Sequence, residues 1–321
     1  MQPMDRRALL GGLGAAAAAT IITPAALGRT RRRLFQRLHQ PIGLQVGALG
    51  AIVARDIDAT LAKVAQIGFR EIELPNLLGL QPAAWAAAAT RAGLTITSLH
   101  LPLQGMGGAA SLSMLSEPAR IADTMGILGA KWAVAPILMF PANFRPAPGE
   151  SLEATITRTI AAAGEDIWKQ TAEALNRTGA ALRPLGIGVA YHNHNLDFAP
   201  IGKTTGWEIL WRETQADLVG FELDIGWVKL AGLDPVRFIE KARGRIKLLH
   251  VRDISASQPQ GYRIAMGSPI VGAGSLEWAR ILPAAYRAGA RHFLVEQEPQ
   301  SGTAPMAAAE RAFAYLSQLR T

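Results

Sequence analysis

The sequence predicts a single (β/α)8 barrel of the TIM type, and three observations carry that prediction. Eight short, nearly continuous apolar runs alternate with longer segments whose apolar residues recur at helical spacing, the pattern of a parallel sheet covered by helices. Gly68, Gly93, Gly129, Gly186 and Gly289 stand at or just before the next run, where glycine tolerates the left-handed turn that stops a helix. The stretch after the first run, "GLQVGALGAIVARD", lacks the G-x-G-x-x-G turn that a doubly wound open sheet leads one to expect. One closed barrel is then the economical arrangement for about 280 residues.

The elements follow in order. "IGLQVG" (42–47) is the first strand, and "DIDATLAKVAQI" returns the chain to "FREIEL" (69–74). "PAAWAAAATRA" leads to "LTITSL" (94–99), and "SEPARIADTMGIL" to "KWAVAP" (131–136). The long "ESLEATITRTIAAAGEDIWKQTAEALNRTGAALRP" reads as barrel cover or a subunit contact, which leaves room for a homo-oligomer. It precedes "GIGVAYHN" (186–193). "TTGWEILWRET" leads to "VGFELD" (219–224), "DPVRFIEKAR" to "IKLLHV" (246–251), and "SLEWARILPAAYRA" to "HFLVEQ" (292–297). Residues 41–321 are therefore assigned to one barrel.

Ahead of the barrel the chain has another character. "MDRRALLGGLGAAAAATIITPAALG" pairs Arg6 and Arg7 before a mildly apolar Ala/Gly stretch and small residues up to Gly28. That is the layout of a twin-arginine export signal over residues 1–28, and it predicts a periplasmic protein without stable membrane insertion after cleavage. Residues 29–40 read as a basic, solvated linker. The formal charge of +8 divides into +1 over residues 1–28, +5 over 29–37 and +2 over the remaining body. A nearly neutral body gives no electrostatic footprint for nucleic acid. The chain has no cysteine, which excludes disulfides, thiolate nucleophiles and Cys-based metal sites.

Barrel enzymes carry their chemistry where strands end at the C-terminal face. In this sequence those ends supply Gln45, Glu71 and Glu73, His100, His192 and His194, Glu222 and Asp224, His250 with Arg252 and Asp253, and Glu296 with Glu298. Alternate residues of a strand share a face, so one inward group from each of the last four strands gives His192, Asp224, His250 and Glu296. Crowding two carboxylates into a barrel mouth is costly through repulsion and lost hydration. One divalent metal resolves that conflict, and mixed imidazole and carboxylate ligands suit Mn2+, Co2+ or Zn2+. Glu222 lies one layer deeper than Asp224 and needs a buried partner. Trp227 is a candidate sugar-stacking wall, and Arg252 either binds a substrate oxygen or pairs with Asp253. The "MGSPIVGAGSLEW" loop reads as a glycine-bearing lid.

"VAYHNHNLDF", "LVGFELDIGWVKLAGLDPVRFIEKARGRIKLLHVRDIS", "VGAGSLEW" and "FLVEQE", in this order, resemble the sugar phosphate isomerase/epimerase group of xylose-isomerase-like TIM barrels, over roughly residues 41–320. The resemblance implies a sugar or keto-sugar as substrate. It also implies a single metal, commonly Mn2+, held by Glu, Asp, His and Glu of strands five to eight. Asp224, His250 and Glu296 match that set, while His192 stands where Glu is usual. Epimerases of the group use both ligand glutamates as proton carriers. Here Glu296 alone keeps that role, so His194 becomes the expected second carrier, with His100, Glu73 and Glu298 in reserve and His100 and Glu73 also placed against substrate.

The expected activity is isomerisation or epimerisation by proton abstraction next to a carbonyl through a metal-stabilised enediolate. A lyase on 3-keto-glycosides and a non-catalytic periplasmic sugar-binding protein are the alternatives. An endonuclease of the same barrel would need a larger ligand set. For the N-terminal segment, changing Arg6 and Arg7 to Lys should leave the precursor in the cytoplasm, as followed by cell fractionation and immunoblotting. Unchanged periplasmic accumulation would exclude twin-arginine export.

Overall fold

The computed structural model describes residues 33–104, 111–141, 144–264, 267–297 and 303–320. The proposed signal 1–28, residues 29–32 and Glu298 lie outside them. Eight parallel strands close into a barrel: β1 (Gly43–Gln45), β2 (Glu71–Leu74), β3 (Thr95–His100), β4 (Trp132–Ala135), β5 (Gly188–His192), β6 (Val219–Asp224), β7 (Ile246–Val251) and β8 (His292–Val295). Each strand pairs with the next, and β8 returns to pair with β1, Gly43 opposite Leu294. All eight expected strands are present, each within its expected range apart from β3, which runs one residue further to His100.

The outer face of the sheet is apolar and packs on a helical shell. Helix α1 (Leu34–Leu38) precedes β1, and α2 (Ile57–Ile67), α3 (Pro82–Ala92) and α4 (Pro118–Leu128) connect the first four strands. The long segment after β4 is two helices, α5 (Leu152–Ala163) and α6 (Asp166–Leu182), parted at Gly164, whose φ of 56° does not continue a helix. Then follow α7 (Gly206–Glu213), α8 (Ile225–Leu230), α9 (Pro235–Lys241), α10 (Trp278–Ala288) and α11 (Pro305–Gln318). The five glycines read as helix stops all have positive φ. Leu44, Ile72, Leu99, Val189, Phe221, Leu249 and Phe293 point into this shell. Among the described residues no helix is long and apolar enough to cross a membrane.

The interior is a separate, smaller core of Val134, Ala190, Leu248 and Leu294, with Trp132 against it. Two bulges decide what lines the barrel above that plug. Glu73 pairs with Ser98 although Ile72 pairs with Ile96, so Thr97 is an extra residue in β3. Likewise Glu222 pairs with Leu248 while Phe221 pairs with Ile246, which makes Lys247 extra in β7. A bulge of this kind re-aims the side chains beyond it. Ile96 and Leu99 can therefore both face the shell while Ser98 and His100 reach Glu73 inside.

The basic linker ends earlier than expected. Residues 34–38 form α1, with Leu34, Phe35 and Leu38 buried, and the Leu34 N–H donates to the Leu319 carbonyl at 2.7 Å. The charge run around Arg31 to Arg37 hid an apolar triplet that belongs to the barrel. Leu34 has no exposed surface, so Leu34→Ala should cost about 2–5 kcal/mol in urea unfolding, the usual range for a buried leucine. A cost near zero would restore the linker reading.

Candidate active site

Four carboxylates, three imidazoles and a guanidinium meet where the strands end, in two tiers. The lower tier is Glu73, His100 and Glu222. His100 Nε2 lies 3.0 Å from Glu73 Oε1 and 2.9 Å from Glu222 Oε2, and the Ser98 hydroxyl donates to Glu73 Oε2 at 2.6 Å. The upper tier is Asp224 and Glu296. Arg252 bridges them, with Nε 2.9 Å from Asp224 Oδ2 and Nη2 2.9 Å from Glu296 Oε2. The Gln45 amide donates to Glu296 Oε1 at 3.3 Å.

His250 and His192 stand between the tiers. His250 Nε2 faces down to Glu73 Oε1 at 2.7 Å and Glu222 Oε2 at 3.2 Å, and its Nδ1 faces up to Glu296 Oε2 at 2.8 Å. His192 Nδ1 lies 3.4 Å from Glu222 Oε2. Strand register produces this contact, since His192 and Glu222 are paired on β5 and β6. Asp224 is paired with His250 in the same way on β6 and β7.

Backbone pairing between β5 and β6 stops short of the mouth, and Asn193 takes over. Its side-chain oxygen accepts from the Asp224 N–H at 2.9 Å, and its amide donates to the Asp224 carbonyl at 3.2 Å. Asp224 Oδ1 in turn caps α8 by accepting from the Trp227 N–H. The carboxylate is thus aimed by a strand on one side and a helix start on the other.

Electrostatics separates the groups. Burial works against charge on His100, but Glu73 and Glu222 outweigh it and raise its pKa to about 10. His250 is raised well above the ordinary range, burial again being overcome by Glu222, Glu296 and Glu73. Burial opposes ionisation of Glu222 and Glu296, yet His250 beside the first and Arg252 with His250 beside the second hold both well below the carboxylate norm. Asp224 is pushed up to about 7 by burial, against Arg252 and with Glu296 adding to the rise. Burial lowers His192, and lowers His194 well below its ordinary value with His192 assisting.

The structure brings together His192, Asp224, His250 and Glu296, with one ligand atom of each within 4.8 Å of the others. The set fits a divalent cation. Its two carboxylates crowd each other enough to raise Asp224. Two imidazoles and two carboxylates are a donor set for Mn2+, Co2+ or Zn2+. His194 lies outside the set. It is half-buried, its ring is 4.9 Å from His192 and 5.4 Å from Trp227, and its Nδ1 has no partner.

Several expectations change. Glu73 does not face substrate: it has no exposed surface and holds Ser98, His100 and His250. His100 is likewise locked between two carboxylates. Trp227 is only 1% exposed, with the Arg252 guanidinium 4.8 Å from its ring centre, so it backs the site and offers no face to a sugar. Arg252 pairs with Asp224 and Glu296, not with Asp253, because neighbours along a strand point to opposite faces. The partner that Glu222 needed is the trio His100, His192 and His250.

Nor is the glycine-bearing loop a loose lid. Asp253 accepts from the N–H groups of Gly272, Gly274 and Leu276 and from Trp278 Nε1. Gln45 and Asp253 stood among the strand-end residues without an assigned contact, and the contribution of Asn193 had no motif to reveal it. The signal for Asn193 was its place between two inward histidines.

Beside the mouth lies an apolar cleft of about 730 Å³, lined by Ile156 and Ile160 of α5, Leu196 and Ile201 after β5, and Tyr262 and Ile264 after β7. Asn195 ties its walls together, donating to the carbonyls of Gly261 and Arg263.

Comparison with known proteins agrees with this architecture. Residues 61–319 match the family model described as xylose isomerase-like TIM barrel. Inosose dehydratase of Lacticaseibacillus casei is 32% identical over 96 residues, 29% of this chain and 31% of that protein. Inosose dehydratase of Geobacillus kaustophilus is 23% identical over 201 residues, 61% of this chain and 62% of its own. The chain thus matches about a third to two thirds of the length of these relatives. Among solved structures, a sugar phosphate isomerase/epimerase from Parabacteroides distasonis superposes with a TM-score of 0.67 at 24% identity, covering 87% of this chain and 94% of that one. The IolI protein with a bound zinc atom superposes at 0.59 and 16% identity, covering 87% and 98%. Likenesses at this identity carry the fold. With four fifths of its length matched to one family model and its barrel closed, the chain belongs to the xylose isomerase-like TIM barrel family.

Proposed function

We propose that this protein is a metal-dependent sugar isomerase or epimerase that abstracts a proton next to a carbonyl. The observation that carries the reading is the upper donor set with an uncharged, unpartnered imidazole, His194, at its edge. His192, Asp224, His250 and Glu296 would hold the cation, Mn2+ in the first instance. Bound there, it would withdraw electron density from a substrate carbonyl and acidify the neighbouring C–H.

The chain's own residues then divide the remaining work. His194 accepts the proton, since burial keeps the ring neutral and ready as a base. Glu296 is the second proton carrier. Return of the proton to the adjacent carbon isomerises the sugar, and return to the opposite face of the same carbon epimerises it. Arg252 and Gln45 keep the Glu296 carboxylate in place. The proposal includes export by residues 1–28 and action on unphosphorylated sugars in the periplasm.

The apolar cleft supports a second reading. A lyase acting on 3-keto-glycosides would use the same proton abstraction, followed by loss of the substituent, and the cleft would accept an apolar leaving group.

The purified protein should contain about one divalent metal per chain by elemental analysis. Asp224→Ala should lose metal and activity together, and full metal content in that variant would exclude the four-ligand site. His194→Ala should keep the metal and lose about 10²–10⁴ in turnover, the usual worth of a general base. An unchanged rate would remove His194 from the mechanism.

Ketohexoses and aryl 3-keto-glucosides, each incubated with Mn2+ and followed by NMR, separate the reactions. An epimer or isomer of the ketose supports the first reading, and a released aglycone supports the second. Sugar binding without conversion would leave a non-catalytic binding protein.

A further inference from the structure

His192 stands where the resemblance implies a glutamate, and the two ligand types make different demands on their surroundings. A carboxylate brings negative charge and no proton. A neutral imidazole brings one lone pair and, on its other nitrogen, an N–H that must find an acceptor in a dry site. His192 is 2% exposed, so water does not supply that acceptor. Among the described residues the carboxylate within ion-pair reach of its Nδ1 is that of Glu222, at 3.4 Å from Oε2. The other oxygen of Glu222, Oε1, is buried and without a partner, so the carboxylate has acceptor capacity to spare.

We propose that Glu222 is the positioning residue that makes an imidazole ligand workable at the end of β5. It would accept from His192 Nδ1, which lies 3.4 Å from its Oε2 and makes no hydrogen bond as the ring stands, and would leave the remaining nitrogen of that ring for the cation. The strand register is the reason this pairing exists, because His192 and Glu222 are direct partners across β5 and β6 and share the barrel interior. The residues at 192 and 222 are therefore coupled. Histidine at 192 requires a carboxylate at 222. Glutamate at 192 would face that carboxylate across a strand pair with no proton between them, and like charges so placed repel. Restoring the glutamate implied by the resemblance should thus harm the site unless Glu222 is neutralised with it. The inference rests on the proposed cation site.

The test is a double-mutant cycle read as metal affinity, by competition with a chromophoric chelator for Mn2+ and Zn2+. Glu222→Gln in the natural background should weaken binding about 10–100-fold, the usual cost of losing such a partner. His192→Glu alone should also weaken it, and Glu222→Gln added to His192→Glu should strengthen it again. A general structural role of Glu222, through His100 or His250, would not produce that reversal of sign.

Equal weakening by Glu222→Gln in both backgrounds, or a His192→Glu variant that binds as tightly as the natural protein, would overturn the proposal. A second measurement needs no change at Glu222. In the zinc-loaded, 15N-histidine-labelled protein, His192 should carry its proton on Nδ1, and a proton on Nε2 would overturn it. Should the natural protein bind neither metal, the cation site and this inference fall together; loss of the coupling alone leaves the site standing.

Discussion

Everything at the mouth of this barrel answers to one constraint: four carboxylates, the buried Glu73, Glu222 and Asp224 and the half-buried Glu296, lie within a few ångströms of one another. Taking so many anions out of water is unfavourable unless each is paired. The protein meets the cost with a fixed vertical order. His100 sits between the two lower carboxylates, Arg252 between the two upper ones, and His250 touches both tiers. Removing any one partner would leave an uncompensated charge, so these side chains have little freedom to move. That rigidity is what a ligand set needs, since a site built on strand ends and locked by its own ion pairs is already in place before substrate arrives.

The same order separates support from reaction. Groups saturated by their neighbours hold position, as Glu73 does with Ser98, His100 and His250. Groups with an atom to spare are the candidates for reaction, as His194 is with its unpartnered Nδ1. The distinction lies in depth along the barrel axis, and it divides residues whose sequence signals are indistinguishable.

Much of this was legible in the sequence. The strands show because a sheet covered on both faces must be apolar along its length, and the candidate ligands show because strand ends and period-two alternation place them. Depth did not show. Glu73 and Asp224 both read as acids near a strand end, and only the register between strands puts one below and the other above. The period also fails where a strand stops: Asp224 begins a helix, so the position three residues on, Trp227, turns away from the mouth and backs it. Arginines crowding Leu34, Phe35 and Leu38 masked a helix whose apolar side was the informative one.

The bulges at Thr97 and Lys247 give the barrel wall a reading frame. A pleat is decoded two residues at a time, and each bulge is a one-residue shift that keeps the intended letters facing inward beyond it. Counted straight from Ile96, Leu99 would line the barrel and His100 would clad it. Deleting Thr97 or Lys247 would return β3 or β7 to regular pairing with lining and cladding unchanged. A comparable deletion within β6, which has no extra residue to give up, would exchange Glu222 and Asp224 for the apolar neighbours that now face the shell. The wall is thus tolerant of length error at two staves and intolerant at the one between the histidines.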